Sequence, residues 1–414
     1  MIRVPPGPVA GRLRAPASKS HLQRLLLASC QAPGLSLIRE PGRSADGIAC
    51  LGVIQDLGAQ VRDTGAILFV EGGGEPRSGT LDCGESGFCL RAASAVAALE
   101  DRPMILTGHG SLLGRPMEML LEPLRQLGVA CATREGFPPI ELRGPLRGGS
   151  ARVDGRASSQ FLSGLLLALP RAQGDSFLEV EGLRSTPYIR MTLEVLAAFG
   201  ARVEASPALD GFAIPGGQTY RPVDLEVEGD WSGAAFLLVA GAVAGDVRVA
   251  GLNPGSSQAD RAVVEALEAA GATLAWEGGD LRAVQSDLRG FTFDATDCPD
   301  LFPPLAALAC HARGRTRLKG AGRLKAKESD RASALVAELS ALGGTLKVEG
   351  DWMEVQGGSL QGGAIDPHND HRMAMACAVA GLRSREGVTM EGEACVDKSY
   401  PEFFRDLASL RGGA

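Results

Sequence analysis

Near the N-terminus, "PASKSHLQR" sets Ser18, Lys19 and Ser20 just ahead of Arg24, and an apolar run follows at once. Two cations and two hydroxyls at a helix start are what a bound phosphate or carboxylate requires, because the first turn also offers free N–H groups and the positive end of the dipole. A capped helix with two solvated cations fits the same spacing equally well. Other polar motifs read plainly when taken alone. Asp300 in "DCPD" stands at a helix start, as an N-cap would, and Glu328 between Lys327 and Arg331 in "KESDR" reads as a surface ion-pair partner. Ser158, Ser159 and Gln160 read as a cap followed by a solvated amide. His368 and His371 in "HNDH" suggest a metal pair but have no third ligand cluster, so no metal is expected.

The elements that must position these residues repeat six times. An amphipathic helix of the form LxxLG, followed by two strand-like segments, recurs with its glycine at Gly58, Gly128, Gly200, Gly271 and Gly343, 70 to 72 residues apart, and a truncated copy ends at Gly412. Each glycine sits where a left-handed helix end is wanted, between a period of 3.6 and a period of two. About 40 residues upstream of each lies a second helix, apolar on nearly every face, beginning near Ser18, Ser86, Ser158, Trp231, Asp300 and Asp370. A helix apolar all round is buried all round, so each repeat pairs an interior with an exterior helix against a sheet. Six interior helices presenting polar first turns make an anion-binding centre, although any single Ser or Asp there serves as well as a cap.

The whole chain of 414 residues has a net charge of −7, 45% hydrophobic residues and 22% charged. That composition excludes a disordered or fibrous protein and predicts two or three domains. A negative balance also argues against a surface spread over nucleic acid, so cations must be concentrated to hold anions. Nine scattered cysteines without a CxxC pair predict reduced thiols. The N-terminus lacks an apolar leader and no stretch is long enough to span a bilayer, so a soluble cytoplasmic protein without membrane or nucleic-acid partners is expected.

Nine ordered blocks, from "SKSHLQRLLLAS" through "LGRPMEMLLEPLRQLG", "SSQFLSGLLLALP", "STPYIRMTLEVLAAFG", "DWSGAAFLLVAGAV", "DCPDLFPPLAALA", "LKAKESDR" and "NDHRMAMACAVAGL" to "VDKSYPEFF", resemble the 5-enolpyruvylshikimate-3-phosphate synthases. The resemblance implies an α/β fold of the two-domain enolpyruvyl transferase type, with six units of about 70 residues, three per domain, and an active site in the cleft between the domains. It implies an inserted domain over 18–227 and a discontinuous one over 1–17 plus 228–414. The implied reaction moves the enolpyruvyl group of phosphoenolpyruvate to the 5-hydroxyl of shikimate 3-phosphate and releases phosphate, through a tetrahedral intermediate and without cofactor or metal. By the same resemblance Lys19, Ser20, Arg24, Ser158, Ser159, Gln160, Ser185, Asp300 and Lys327 hold shikimate 3-phosphate. Lys19, Gly87, Arg115, Gln160, Arg331, Arg372 and Lys398 hold phosphoenolpyruvate, and Asp300, Glu328 and Lys19 carry the proton transfers. Asp46 matches a position near the shikimate hydroxyls. A monomer that closes its cleft on the two small-molecule substrates is expected.

One block departs from the resemblance. Where the common pattern is Asn-Ala-Gly-Thr, this chain reads "ESGFCLR", so Glu85 replaces an amide and Phe88 a hydroxyl while Gly87 and Arg91 keep their places. An acid beside the donor costs affinity unless Arg115 or a lysine neutralises it, and Phe88 is expected to alter the helix behind the donor wall. The sister transferase acting on UDP-N-acetylglucosamine is the alternative enzyme; it expects a Lys-Asn pair and a loop cysteine where this chain has "SKS" and "GRPM". A non-catalytic anion-binding homologue would need the cations but neither Asp300 nor Glu328.

Overall fold

The computed structural model describes residues 1–412 apart from 157 and 326. Among them, twelve α-helices run in pairs: α1 (Lys19–Gln31) and α2 (Ala45–Asp56), α3 (Gly87–Ala97) and α4 (Leu121–Gln126), α5 (Gln160–Ala168) and α6 (Thr186–Ala198), α7 (Trp231–Ala244) and α8 (Val263–Ala269), α9 (Phe302–Cys310) and α10 (Arg331–Ala341), α11 (His371–Gly381) and α12 (Phe403–Ser409). The odd-numbered helices are the apolar ones. Every residue of α3, α7 and α11 is buried. The even-numbered helices bury one face only; α10 buries Arg331, Ala332, Ala334, Leu335 and Leu339, the stripe that a period of 3.6 produces.

The chain divides into two compact units, one of Met1–Ser18 with Glu228–Ala414 and one of Lys19–Val227. In the Lys19–Val227 unit, three four-stranded sheets surround packed α1, α3 and α5. Each combines one parallel pair with an antiparallel hairpin, as when Gly149–Asp154 pairs parallel with Ser176–Glu181, which in turn pairs antiparallel with Gly211–Ile214. The last strand, Asp224–Glu226, lies parallel to the first, Gly34–Arg39, and completes the first repeat's sheet.

The other unit borrows strands from the N-terminus in the same way. Val9–Arg14 pairs parallel with Gly245–Ala250, and Ile2–Val4 pairs antiparallel with Val388–Met390. That second pairing gives the truncated sixth copy a three-stranded sheet, with Gly363–Ile365 as its third strand. Between each exterior helix and its hairpin, Gly58, Gly128, Gly200, Gly271 and Gly343 adopt φ of 105°, 89°, 78°, 82° and 96°. A side chain there would meet the steric penalty of the left-handed region. Gly412 does not share this conformation.

Small residues let the interior helices approach closely. A methyl group on Gly164 of α5 would lie 2.7 Å from the Ala92 Cα of α3, whereas one on Gly52 of α2 would meet nothing within 4 Å. Gly164→Ala should therefore destabilise the protein by about 1–3 kcal/mol despite alanine's better helix propensity, while Gly52→Ala should stabilise it by roughly 0.5–1 kcal/mol. Denaturant midpoints of the two variants check both signs.

Candidate active site

In the Lys19–Val227 unit the first turns of α1, α3 and α5 carry the predicted groups. Lys19 opens α1, and its ammonium lies 3.0 Å from a carboxylate oxygen of Asp46 in the first turn of α2. Gln23 donates to the Asp46 carbonyl and to the Ser86 hydroxyl, each at 2.8 Å, tying three helix starts together. Arg24 is buried. Its guanidinium donates to Thr192 Oγ1 at 2.8 Å, to the Ser20 carbonyl at 2.7 Å, and to Ser163 Oγ and the Tyr188 carbonyl at 3.3 and 3.2 Å. These bonds occupy four of its five N–H groups, leaving one on Nη1 for a ligand. With burial dominant, its pKa falls to about 9.

Gly87, the first residue of α3, has a steric task. A Cβ there would sit 2.4 Å from Arg115 Nη1, so only glycine lets the Arg115 guanidinium lie against the start of α3. Arg91, one turn further on, donates to the Gln160 side-chain oxygen at 2.7 Å and to the Pro116 carbonyl at 2.9 Å. With Arg91 donating to the amide oxygen, the Gln160 NH2 remains a donor. Ser158 accepts from the Gln160 N–H at 3.2 Å, and Ser159 precedes α5 without a side-chain capping bond. Ser185 precedes α6 at φ 56° and ψ 44°, a left-handed conformation that costs a non-glycine residue about 1–2 kcal/mol, and its hydroxyl does not cap the helix.

The departing block is accommodated in a way its residue types did not indicate. The Glu85 carboxylate accepts from the N–H and the hydroxyl of Ser111 at 2.9 and 2.7 Å, so it braces the turn before Arg115. Gly110 makes room for it, since a Cβ there would lie 2.4 Å from the carboxylate carbon. Phe88 is buried with the Arg24 guanidinium 4.3 Å from its ring centroid. Its ring thus lies against a residue expected to hold shikimate 3-phosphate.

The second unit gathers the carboxylates. Asp300 lies in the 3₁₀ turn Pro299–Leu301 and does not cap α9, whose N-cap residue is Leu301. One of its oxygens meets Lys327 Nζ at 3.2 Å and Arg331 at 2.7 Å, and the other meets Arg372 at 3.2 Å. Burial pushes the Asp300 carboxyl up, but Arg372, Lys327 and Arg331 outweigh it and hold the group well below the usual carboxylate range. Desolvation pushes the Lys327 ammonium down against the pull of Asp300. Arg331, 1% exposed, is the hub: besides Asp300 it meets Glu328 at 2.5 Å and Asp370 at 2.7 Å. Glu328 is thus the half-buried partner of a buried arginine, where its spacing alone suggested a surface ion pair. Asp370 also caps α11 by accepting from Arg372 N–H. Lys398 is buried at the end of the turn Glu393–Lys398. His368 and His371 part company: His368 meets Glu338 at 2.7 Å, while His371 is buried beside Asp370.

Arg91 and Asp370 are the positioning residues that their motifs did not single out. "ESGFCLR" and "NDHR" contain both, and a helical Arg or a capping Asp beside a predicted site residue is the available signal. Their partners, Gln160 and Arg331, lie 69 and 39 residues away in the chain.

Anion-ready helix starts on repeated α/β units define an enolpyruvyl transferase fold. The enolpyruvyl transferase NikO from Streptomyces tendae superimposes with a TM-score of 0.78 at 19% identity, covering 99% of this chain and 96% of that one. The chain belongs to the EPSP synthase (3-phosphoshikimate 1-carboxyvinyltransferase) family, whose pattern matches residues 4–407. A 3-phosphoshikimate 1-carboxyvinyltransferase of Aeropyrum pernix is 42% identical over 409 residues, covering 98% of this chain and 95% of the relative. One of Halobacterium salinarum is 40% identical over 425 residues, covering 98% of each. The EPSP synthase structure from Acinetobacter baumannii has a TM-score of 0.83 at 29% identity, covering 99% of this chain and 97% of that one.

Two variants test the geometry. Gly87→Ala should displace Arg115 and raise the Michaelis constant for phosphoenolpyruvate, which Arg115 is expected to hold, by at least about tenfold, with turnover changed less, as steady-state kinetics would reveal. Asp370→Ala leaves Arg331 buried without its main partner and should cost about 3–5 kcal/mol in equilibrium unfolding.

Proposed function

We infer that this chain transfers the enolpyruvyl group of phosphoenolpyruvate to the 5-hydroxyl of shikimate 3-phosphate, releasing phosphate, a step of aromatic amino-acid biosynthesis. The observation that carries the chemistry is the cluster in which half-buried Asp300 meets Lys327 and the buried Arg331 and Arg372 at 2.7 to 3.2 Å while Glu328 meets Arg331. Binding anions requires only the cations; two carboxylates held among them supply groups that can accept and return protons.

In this reading Lys19, Ser20, Arg24, Ser158, Ser159, Gln160, Ser185 and Lys327 hold shikimate 3-phosphate. Lys19, Arg115, Gln160, Arg331, Arg372 and Lys398 hold phosphoenolpyruvate, with Gly87 giving Arg115 its place. The 5-hydroxyl oxygen adds to C2 of the donor, its proton passing to Asp300, while the methylene carbon C3 gains a proton and becomes a methyl group. The C2–O bond to phosphate then breaks, a methyl proton returns to a base, and the double bond re-forms on the new ether. Glu328 serves the methylene carbon, with Lys327 and Lys19 as proton carriers. Asp300 is too acidic to be a strong base while three cations surround it. Substrate phosphates and carboxylates draw on the same cations, so binding raises its basicity as the hydroxyl arrives.

Ser20 in place of an amide and "GRPM" without a cysteine favour this acceptor over UDP-N-acetylglucosamine. No helix of the described residues is long and apolar enough to cross a membrane. The exposed large hydrophobic side chains, such as Leu35, Ile48, Leu113 and Val348, are few. We take the protein to work in the cytoplasm as a monomer, a state that light scattering of the eluted protein would check.

Phosphate release should require shikimate 3-phosphate, and release with UDP-N-acetylglucosamine instead would overturn the assignment. Asp300→Ala and Glu328→Ala should each lower turnover by at least about 100-fold while changing shikimate 3-phosphate affinity much less. Lost affinity with unchanged turnover would remove both from the chemistry. Lys19→Met should weaken both substrates and the rate together, because one ammonium serves two anions; near-normal kinetics would leave it a solvated cation.

A further inference from the structure

Behind Arg372 lies a carboxyl group to which the reaction as described gives no task. Asp260 sits in the 3₁₀ turn Ala259–Ala262, packed against α7, and is 1% exposed. Oδ2 meets the Ser232 hydroxyl in a short contact, while Oδ1 is buried without any hydrogen-bond partner. The charged groups that face it are Asp300 from the turn before α9, Arg372 from α11 and Asp230 from the cap of α7, and the Cys298 thiol lies near it as well.

This geometry suits a carboxylic acid and not a carboxylate. As the acid, Asp260 accepts from the Ser232 hydroxyl on Oδ2 and leaves only an uncharged oxygen without a partner. As the anion, it would leave a charged oxygen in a dry site with nothing donating to it, a much larger penalty. Burial, reinforced by Asp300, agrees in direction, placing the group at about 7 although Arg372 and Ser232 pull it down.

The charge state matters because Arg372 is shared. Asp300 meets it at 3.2 Å, and Asp260 and Asp230 act on the same guanidinium. With Asp260 neutral, less of its positive charge is answered within the protein. A second carboxylate behind it would answer more and weaken its hold on an incoming anion.

We propose that Asp260 is a positioning residue for donor binding: uncharged, it leaves the charge of Arg372 to phosphoenolpyruvate, and on ionising it takes that charge back. The proposal rests on the reading of Arg372 as a donor-binding residue.

The test compares wild-type enzyme with Asp260→Asn across about pH 6 to 9, a range that brackets the value at which Asp260 ionises. The amide in that variant keeps the shape of the carboxyl group and cannot ionise. The Michaelis constant for phosphoenolpyruvate should rise with pH more in the wild type than in the variant, by roughly tenfold at the alkaline end, the scale of one added charge near a buried guanidinium. Turnover should differ by no more than about threefold. Ionisation of the substrate affects both proteins alike, so the difference belongs to residue 260. Superimposable profiles would overturn the proposal, as would a variant that loses turnover with its Michaelis constant unchanged.

Infrared spectroscopy of the wild type supplies a readout independent of activity. A protonated-carboxyl band should vanish between the two ends of the pH range and be missing from Asp260→Asn; no titrating band would overturn the proposal. Should Asp260→Asn fail to fold, Ser232→Ala serves instead, because losing the hydroxyl should move the rise to higher pH, and an unmoved rise counts against the idea. Arg372→Gln separates the two failures. If it leaves donor affinity intact, the reading of Arg372 falls and the proposal with it; if it weakens the donor while the profiles superimpose, only the role of Asp260 falls.

Discussion

Arg331 is a guanidinium taken almost wholly out of water, and its surroundings within its own unit are organised around making that tolerable. Three carboxylates from three different segments, Asp300, Glu328 and Asp370, converge on it at 2.5 to 2.7 Å. Their attraction outweighs the desolvation that would otherwise draw off its proton, and its pKa is raised. Each carboxylate has a second task as a result. Asp370 caps α11 and so fixes Arg372, Asp300 links Arg331 to Lys327 and Arg372, and Glu328 ties the start of α10 to the cluster. A buried charge with several partners has one well-satisfied arrangement, which is how an ion cluster supplies geometry even where its net stabilisation is small.

The Lys19–Val227 unit solves the same problem with different chemistry. Arg24 is as buried as Arg331, yet its recorded partners are hydroxyls, carbonyls and the faces of Phe88 and Tyr188. Burial lowers its pKa and none of them carries a full negative charge to offset that, so its proton is held less tightly, at about 9, below the ordinary guanidinium range. An incoming anion then meets a cation whose charge the protein has not already answered. Gln160 follows a related logic: Arg91 donates to its oxygen, and the amide keeps its NH2 as a donor. Within a chain of net charge −7, anion binding is achieved by local arrangement and not by overall sign.

The block "ESGFCLR" shows how a departure from a family pattern is absorbed. The acid at position 85 is kept from acting as a repulsive charge by the Ser111 N–H and hydroxyl, and this ties the turn leading to Arg115 back to the start of α3. Phe88 offers its face to Arg24 in place of a hydroxyl, an interaction worth about 0.5–2 kcal/mol once water is excluded. Neither substitution touches the requirement for glycine at 87, where Arg115 comes too close for any Cβ.

The sextuple repeat, the division into interior and exterior helices, and the left-handed glycines at five of the six repeat ends were legible in the sequence, because they follow from periodicity and from the sterics of single residues. The spacing of Lys19 and Arg24 with their hydroxyls fitted an anion site and a capped helix alike, and the order of nine blocks supplied the expected site. Spacing alone would have left Asp300 a helix cap and Glu328 a surface ion-pair partner. What tertiary structure decided was which charges answer one another: Arg331 with Asp370, Arg91 with Gln160, Arg24 with Phe88, and Asp260 with no donor on one oxygen. Those pairings join residues as much as 69 positions apart. Their energies depend on distance and on the exclusion of water, quantities that a linear order of residue types does not contain.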